Sequence, residues 1–209
     1  LDAADPDALA AVTDERLREG IRTLTGDIEQ VPSAVSAIKV DGRRAYDRVR
    51  AGEDVVLASR HVTVSAFEVL DVRRHEASID VDARIDCSSG TYIRALARDL
   101  GALLGVGGHL TALRRSRVGP FAVARAVDVD DITPEVLVPP AEVAGELFPV
   151  LHVEAAQSQA LGHGKKLALP SEPDAEPVVA VDAHGRLVAL IAVQGGVGRT
   201  LVGFPQEAA

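Results

Sequence analysis

The sequence predicts an α+β fold built on a largely antiparallel sheet, followed by a second, smaller and mostly β module. Three observations predict it. Ile79, Val81, Ala83, Ile85 and Cys87 alternate with Asp80, Asp82, Arg84 and Asp86, the period of a half-buried strand. That strand runs through Ser88-Ser89-Gly90 into a segment where Ile93, Leu96, Leu100 and Leu103 or Leu104 recur at helical spacing. Elsewhere strands and helices mix without a regular βαβ beat, which favours antiparallel pairing over a parallel sheet.

The elements follow in order. Residues 1–12 are an Ala/Asp-rich lead-in, and Thr13 suits the N-cap of a helix carrying Leu17, Ile21 and Leu24 until Gly26. After Pro32, "SAVSAIKV" reads as a strand, and Asp41-Gly42 is a two-residue hairpin signal. "AYDRVRAG" then predicts a short helix ended by Gly52. From Arg60 to Arg74, Val62 and Val64 and then Phe67, Val69 and Val72 predict a strand with one phase slip, a bulge. After the helix, which Gly105 ends, "HLTALRRSRVGPFAV" returns as extended chain broken near Gly119-Pro120.

From about Asp128 the texture changes. "DVDDITPEVLVPPAEVAGELFP" combines prolines with a cluster of acids, as a connector does. "VEAAQSQALGHGKKL" predicts a short helix running into a Gly-rich loop. "VVAVDAHGRLVALIAV" is a hairpin with its turn at Ala183-His184-Gly185. Two domains are therefore expected, 1–130 and 131–209.

Composition narrows the function classes. A hydrophobic share of 47% with 25% charged residues is ordinary for a globular protein in water, and no uncharged apolar run reaches membrane-spanning length. The lone Cys87 excludes an internal disulfide framework and fits a reducing cytoplasm. The chain opens at Leu1 and contains no methionine, so it is expected to be part of a longer polypeptide. A net charge of −9 argues against gripping nucleic acid over the whole surface. Local stripes remain effective, because fields act within a Debye length of about 8 Å. Two arginine clusters qualify: Arg43, Arg44, Arg48 and Arg50, then Arg114, Arg115 and Arg117. Solvated surface faces would have the same composition.

The usual chemical signatures are missing. Histidines are scattered, and neither HExxH nor paired CxxC occurs, so no metal site is expected. Gly105, Gly107 and Gly108 do not complete GxGxxG, Gln159 stands where a P-loop before Gly164-Lys165 needs glycine, and no serine lies in GxSxG. What remains is the start of the helix in "CSSGTYIRALARDLG". A strand end meeting a helix N-terminus favours an anion. Arg94 in the first turn opposes the helix dipole, so it calls for an anionic partner that its planar fork can hold by two hydrogen bonds. A surface ion pair worth about 0–1 kcal/mol would meet the same need. Tyr92 reads either as a core-edge ring with its hydroxyl in water or as a ring facing a ligand.

"GDIEQVPSAVSAIKVDGRRAYDRVRAGEDV", "IDCSSGTYIRALARDLG" and "LGVGGHLTALRRSRVGPF", in this order over about residues 26–121, resemble the tRNA pseudouridine synthase B (TruB) family. The tail resembles, in position and size, that family's PUA-like RNA-binding module. The resemblance implies the C-terminal part of a pseudouridine synthase catalytic domain with a mainly antiparallel mixed sheet. It implies an isomerase that converts the T-loop uridine of tRNA (tRNA position 55) to pseudouridine, with no cofactor and no metal. The expected partner is the tRNA T-stem-loop, with no membrane, for a cytoplasmic bacterial protein expected to be a monomer.

Carried over by motif, Tyr92 resembles the family's substrate-contacting tyrosine, and Arg94 the arginine that pairs with the catalytic aspartate. Leu113 of "LRR" resembles the leucine packed against the flipped base, and Arg114 and Arg115 lie in the same substrate-binding block. Lys39 and Gly42 belong to the block before the RNA-binding hairpin, with no individual role implied. The family's aspartate sits in an upstream G-T-L-D-P block that these residues do not contain. Asp86 and Asp99 flank the helix but match no part of it. A protein of only these residues is therefore expected to be inactive. The alternative is a non-catalytic tRNA-binding or RNA-folding protein of the same fold, and an intact upstream G-T-L-D-P separates the two.

Overall fold

The computed structural model describes residues 4–32, 39–40, 43–44 and 57–204. The chain divides into two compact units, Leu1–Leu113 and Arg114–Ala209. The division comes earlier than the change in sequence texture near 130, because residues 114–130 join the second unit.

In the first unit, helix α1 (Pro6–Ala10) is capped by Asp5, whose carboxylate accepts the Asp7 amide at 2.9 Å. Helix α2 (Asp14–Thr23) starts at the expected Thr13, whose hydroxyl accepts the Arg16 amide at 3.2 Å. Strand β1 (Gly26–Gln30) follows. Strands β2 (Lys39–Val40) and β3 (Arg43–Arg44) pair antiparallel with Lys39 opposite Arg44, the register a two-residue connection imposes. The Asp41-Gly42 turn, the rest of "SAVSAIKV", the short helix expected at "AYDRVRAG", Arg48 and Arg50 lie outside the described residues.

Strands β4 (Arg60–Arg74) and β5 (Ile79–Cys87) complete an antiparallel sheet in the order β1-β4-β5. The β4–β5 register slips twice, between Val64 and Ala66 and between Val69 and Asp71, where the sequence pattern shows one slip. Helix α3 (Ile93–Leu104) ends at Gly105, whose φ of 79° is left-handed, where glycine escapes the Cβ penalty. Helices α2 and α3 bury Leu17, Ile21, Leu24, Leu96, Leu100 and Leu104 against Val64 of the sheet. The choice left open by periodicity is thereby decided: Leu104 enters the core, and Leu103 is half exposed.

Behind α3 the "GVGG" loop folds onto the helix, and the Val106 and Gly107 amides both donate to the Gly101 carbonyl, at 3.0 and 3.1 Å. A Cβ on Gly101 would lie 2.1 Å from the Gly107 carbonyl carbon, and one on Gly108 2.2 Å from the Ala97 oxygen. These two glycines let loop and helix backbones touch. Any larger side chain would separate them, at the overpacking cost of about 1–3 kcal/mol or more.

The second unit opens with the two-residue strands β6 (Arg117–Val118) and β7 (Phe121–Ala122), paired around Gly119-Pro120. Three single 3₁₀ turns follow, over Val123–Arg125, Val129–Asp131 and Pro134–Val136. The expected connector then forms a helix, α4 (Pro140–Gly145), because proline at its first position costs no hydrogen bond. Ala141 and Ala144 of α4 pack with Val179 and Val181. Strand β8 (Val150–His152), helix α5 (Ala155–Gly162), and strands β9 (Leu167–Ala168), β10 (Ala175–Val181), β11 (Leu187–Gln194) and β12 (Val197–Gly203) build the rest. The sheet order is β8-β10-β11-β12-β9, antiparallel except for the β8–β10 pair. Leu161 of α5 joins Val178, Val188 and Ile191 in the main core.

The β10–β11 hairpin turns where the sequence places it, and Asp182 holds it. Its buried carboxylate accepts the His184 and Arg186 amides, both at 2.9 Å, and pairs with the Arg186 guanidinium at 2.8 Å. The Arg186 amide, ahead of the Arg186 side chain and the His184 amide, lowers the Asp182 pKa against the opposing effect of burial. A depressed folded pKa stabilises above the ordinary aspartate value, and that contribution is lost as pH falls through the folded one. Asp182→Asn should therefore lower the thermal midpoint of this unit at neutral pH. The gap from wild type should narrow on acidification below about pH 4, the ordinary aspartate range. Calorimetry from pH 7 to pH 2 measures it, and a gap independent of pH would refute this account of the turn.

Candidate functional site: the start of helix α3

The site is built where β5 gives way to α3. Ser88 prolongs the ladder to β4: its amide donates to the Thr63 carbonyl at 2.8 Å, and its hydroxyl accepts the Thr63 amide at 3.0 Å. Gly90 turns the chain with φ of 84°, and the Thr91 hydroxyl donates back to the Ser88 carbonyl at 2.9 Å. The small residues of "CSSGT" thus finish a strand, reverse its direction and start a helix within five positions.

Tyr92 is the N-cap of α3, with extended φ and ψ of −101° and 104° and no side-chain cap hydrogen bond. Its peptide is gripped instead by Gln30 at the end of β1. The Gln30 Oε1 accepts the Tyr92 N–H at 2.7 Å, and the Gln30 Nε2 donates to the Tyr92 carbonyl at 3.2 Å. Gln30 is only 1% exposed, and these two bonds satisfy its amide where water cannot. Arg60, opposite Gln30 in the β1–β4 register, carries its guanidinium carbon 5.4 Å from the centre of the Tyr92 ring, within cation–π reach. Arg94 stands exposed in the first helical turn, beside the half-buried Tyr92.

Tyr92 and Arg94 stand two positions apart at the start of α3, and Gln30 and Arg60 reach Tyr92. No periodicity marks Gln30 or Arg60, so sequence reasoning passes over both. The acids near the helix belong elsewhere. Asp99 pairs with Arg98 at 2.7 Å and lines a groove of about 600 Å³ with Leu24, Ile28 and Leu103, towards the other end of α3. Asp86 is exposed on β5, and its carbonyl accepts the Ser65 hydroxyl at 3.1 Å. Leu113 closes the first unit with 61% of its surface open, and Arg114 and Arg115 open the second unit, both exposed. The side chains of Lys39, Arg43 and Arg44, and all of Gly42, lie outside the description. Among the described residues no group of three or more histidine, cysteine, aspartate or glutamate side chains could hold a metal, and no helix is long and apolar enough to cross a membrane.

Family patterns cover nearly the whole chain. Residues 3–93 match the TruB family pseudouridylate synthase N-terminal domain. Residues 94–152 match the tRNA pseudouridylate synthase B C-terminal domain, and residues 148–205 the tRNA pseudouridine synthase II C-terminal pattern. The tRNA pseudouridine synthase B of Leifsonia xyli subsp. xyli is 56% identical over 210 residues, 99% of this chain and 70% of that protein. The chain belongs to the TruB family.

Two further TruB relatives agree. The tRNA pseudouridine synthase B of Cutibacterium acnes is 53% identical across 87% of this chain and 62% of its own length. That of Corynebacterium diphtheriae is 46% identical across 92% and 64%. The chain thus spans about two thirds of the length of these TruB proteins. Among solved structures it is similar to a chain of a Cbf5-Nop10-Gar1 complex, with a TM-score of 0.64 and 23% identity over 94% of this chain and 62% of that one. It is also similar to a chain of an H/ACA RNP bound to a substrate RNA containing 2′-deoxyuridine, with a TM-score of 0.65 and 23% identity over 94% and 63%. At that identity the likeness establishes the fold, a pseudouridine synthase fold with mixed α and β content and antiparallel sheets.

Proposed function

We propose that the protein to which this chain belongs is a tRNA pseudouridine synthase that isomerises the T-loop uridine. The observation that carries the reading is the strand–turn–helix block, with Tyr92 clamped and Arg94 exposed beside it, in a chain 56% identical to a tRNA pseudouridine synthase B.

The chemistry asks for what this block offers. A uridine inside a stacked loop exposes neither its glycosidic bond nor C5, so it must be extruded, at a cost of a few kcal/mol. Tyr92, with its peptide held by Gln30, offers the extruded nucleotide an aromatic surface on a rigid mount, and Leu113 offers an apolar one. A carboxylate then attacks or deprotonates the sugar while the C1′–N1 bond breaks. The base turns, and C1′ bonds to C5 as the bond to the carboxylate breaks or as the proton taken from the sugar returns. The C5 proton leaves, and N1 takes up a proton. Arg94 is suited to keep that carboxylate ionised and aimed, because an adjacent guanidinium lowers a carboxyl pKa. The carboxylate is assigned to the family's G-T-L-D-P block, which these 209 residues do not contain. None of these steps needs a metal or a cofactor.

In this reading residues 1–130 belong to the catalytic domain and residues 131–209 form a PUA-like RNA-binding module, in a cytoplasmic monomer. Exposed Arg114 and Arg115 are assigned to tRNA phosphates. Arg114→Ala/Arg115→Ala should then flatten the log–log salt dependence of tRNA affinity by about 0.7 to 0.9 for each phosphate that is no longer neutralised. Filter binding between 50 and 300 mM salt measures it, and an unchanged slope would place both on a bystander face.

The reading itself is tested by tritium release from 5-³H-uridine-labelled T-stem-loop RNA with the whole protein. Release with pseudouridine at the T-loop position supports it. Tight tRNA binding with no release would identify a non-catalytic RNA-binding protein of the same fold.

A further inference from the structure

We propose that Arg60 is a positioning residue for the uridine reaction, holding the Tyr92 ring in the plane in which it meets the target nucleotide. The inference rests on the reading of Tyr92 as a substrate contact and adds to it a residue that the motif does not contain.

Three observations converge on Arg60. The first is the poor choice of Tyr92 as an N-cap. Serine, threonine, aspartate or asparagine would satisfy a free helical amide there, whereas tyrosine makes no cap hydrogen bond. A buried glutamine on another strand is spent on its peptide instead. Helix stability does not explain a tyrosine at this position, and a task for the ring does.

The second observation is the stack. Gln30 fixes the Tyr92 backbone but leaves the side-chain torsions open, and the Arg60 guanidinium 5.4 Å from the ring centre is the group that restrains them.

The third is a cost. The Arg60 Nε is shielded from solvent, and among the described residues it finds no acceptor. A buried unpaired donor destabilises the fold, and an arginine placed by hydrogen bonding alone would turn that edge to water or to a carbonyl. The Nε edge is thus not what places the side chain, whereas the ring lies within cation–π reach. Local rules broken without gain in stability are characteristic of functional positions.

The test uses the whole protein labelled with 3-fluorotyrosine, with the Tyr92 resonance assigned by its loss in Tyr92→Phe. Arg60→Ala should shift or narrow that resonance as the ring gains freedom. Single-turnover pseudouridine formation should fall by up to about 10²-fold, the scale of a misplacement near 1 Å. The tRNA dissociation constant should change by less than about 3-fold, because the missing interaction is within the protein. Arg60→Lys keeps a cation near the ring without the planar fork, so it should recover part of the rate.

An unchanged fluorine resonance, or an unchanged rate, in Arg60→Ala overturns the proposal. A loss of tRNA affinity that accounts for the whole rate loss also overturns it, and makes Arg60 a direct RNA contact. Tyr92→Ala separates two failures. Full activity there overturns the role of Tyr92 itself. Loss of activity there, with full activity in Arg60→Ala, overturns only the part assigned to Arg60.

Discussion

Under the proposed function, Arg94→Ala made in the whole protein should slow pseudouridine formation by roughly 10²- to 10⁴-fold. Removing one partner of a charge pair acts on this scale once bound RNA excludes water from it. The side chain leaves the first turn of α3 next to Tyr92, where the dipole of its own helix disfavours a cation. In the proposed function a carboxylate from the upstream part of the family's chain would offset that cost and gain a two-bonded partner. Without the guanidinium, the carboxylate would lose its charge partner and its pKa would rise. The activity that remains in Arg94→Ala should therefore recover in part as pH increases. Arg94→Lys keeps the charge and loses the fork, so it should fall between wild type and alanine. Single-turnover tritium release from pH 6 to pH 9 measures all three proteins. A wild-type rate for Arg94→Ala would remove the arginine from the site.

The second large effect concerns the chain as it stands. A polypeptide of these 209 residues alone should form no detectable pseudouridine in a T-stem-loop RNA, and the same residues joined to the family's upstream segment should turn over. In the proposed function Tyr92, Leu113 and Arg94 bind and orient, and none of them attacks or deprotonates the ribose. The acids that flank α3 match no part of the family's aspartate block: Asp99 is paired with Arg98, and Asp86 lies on β5. The measurement is tritium release, with tRNA binding by the short chain as its control. Turnover by the short chain would mean that one of these acids does the chemistry, and the assignment of roles would change. The substitutions Asp86→Asn and Asp99→Asn would then identify which.

The local elements were legible because each is written in short-range chemistry. Thr13 caps α2 since its hydroxyl reaches an amide three residues on. The alternation over Ile79–Cys87 makes a strand by side-chain geometry alone, and Ala183-His184-Gly185 turns because Gly185 accepts a φ of 77°. The positions of Tyr92 and Arg94 at the start of a helix were legible for a different reason: they lie inside a contiguous motif, so their local neighbourhood is encoded along the chain. The second β4 slip was not legible, because a slip is a property of two strands and appears only when β5 is set against β4. Periodicity likewise allowed either Leu103 or Leu104 on the buried face, and the angle at which α3 meets α2 and the sheet selected Leu104.

By itself, then, the sequence determined the Ile79–Cys87 strand and the helix that follows it, the Thr13 cap, the Ala183-His184-Gly185 turn and the family. Strands β1, β8, β9 and β12 emerge only from pairing. Only the tertiary structure decided what holds Tyr92. Gln30 reaches Tyr92 across 62 residues of chain, and Arg60 reaches the same ring from the neighbouring strand. The division between the units falls at Leu113/Arg114, and within the second unit α4 packs its alanines on the sheet. A hydrogen bond or a stack between distant residues depends on which strands pair and in what register. That register emerges from burying one common core, and no local run of residues carries it.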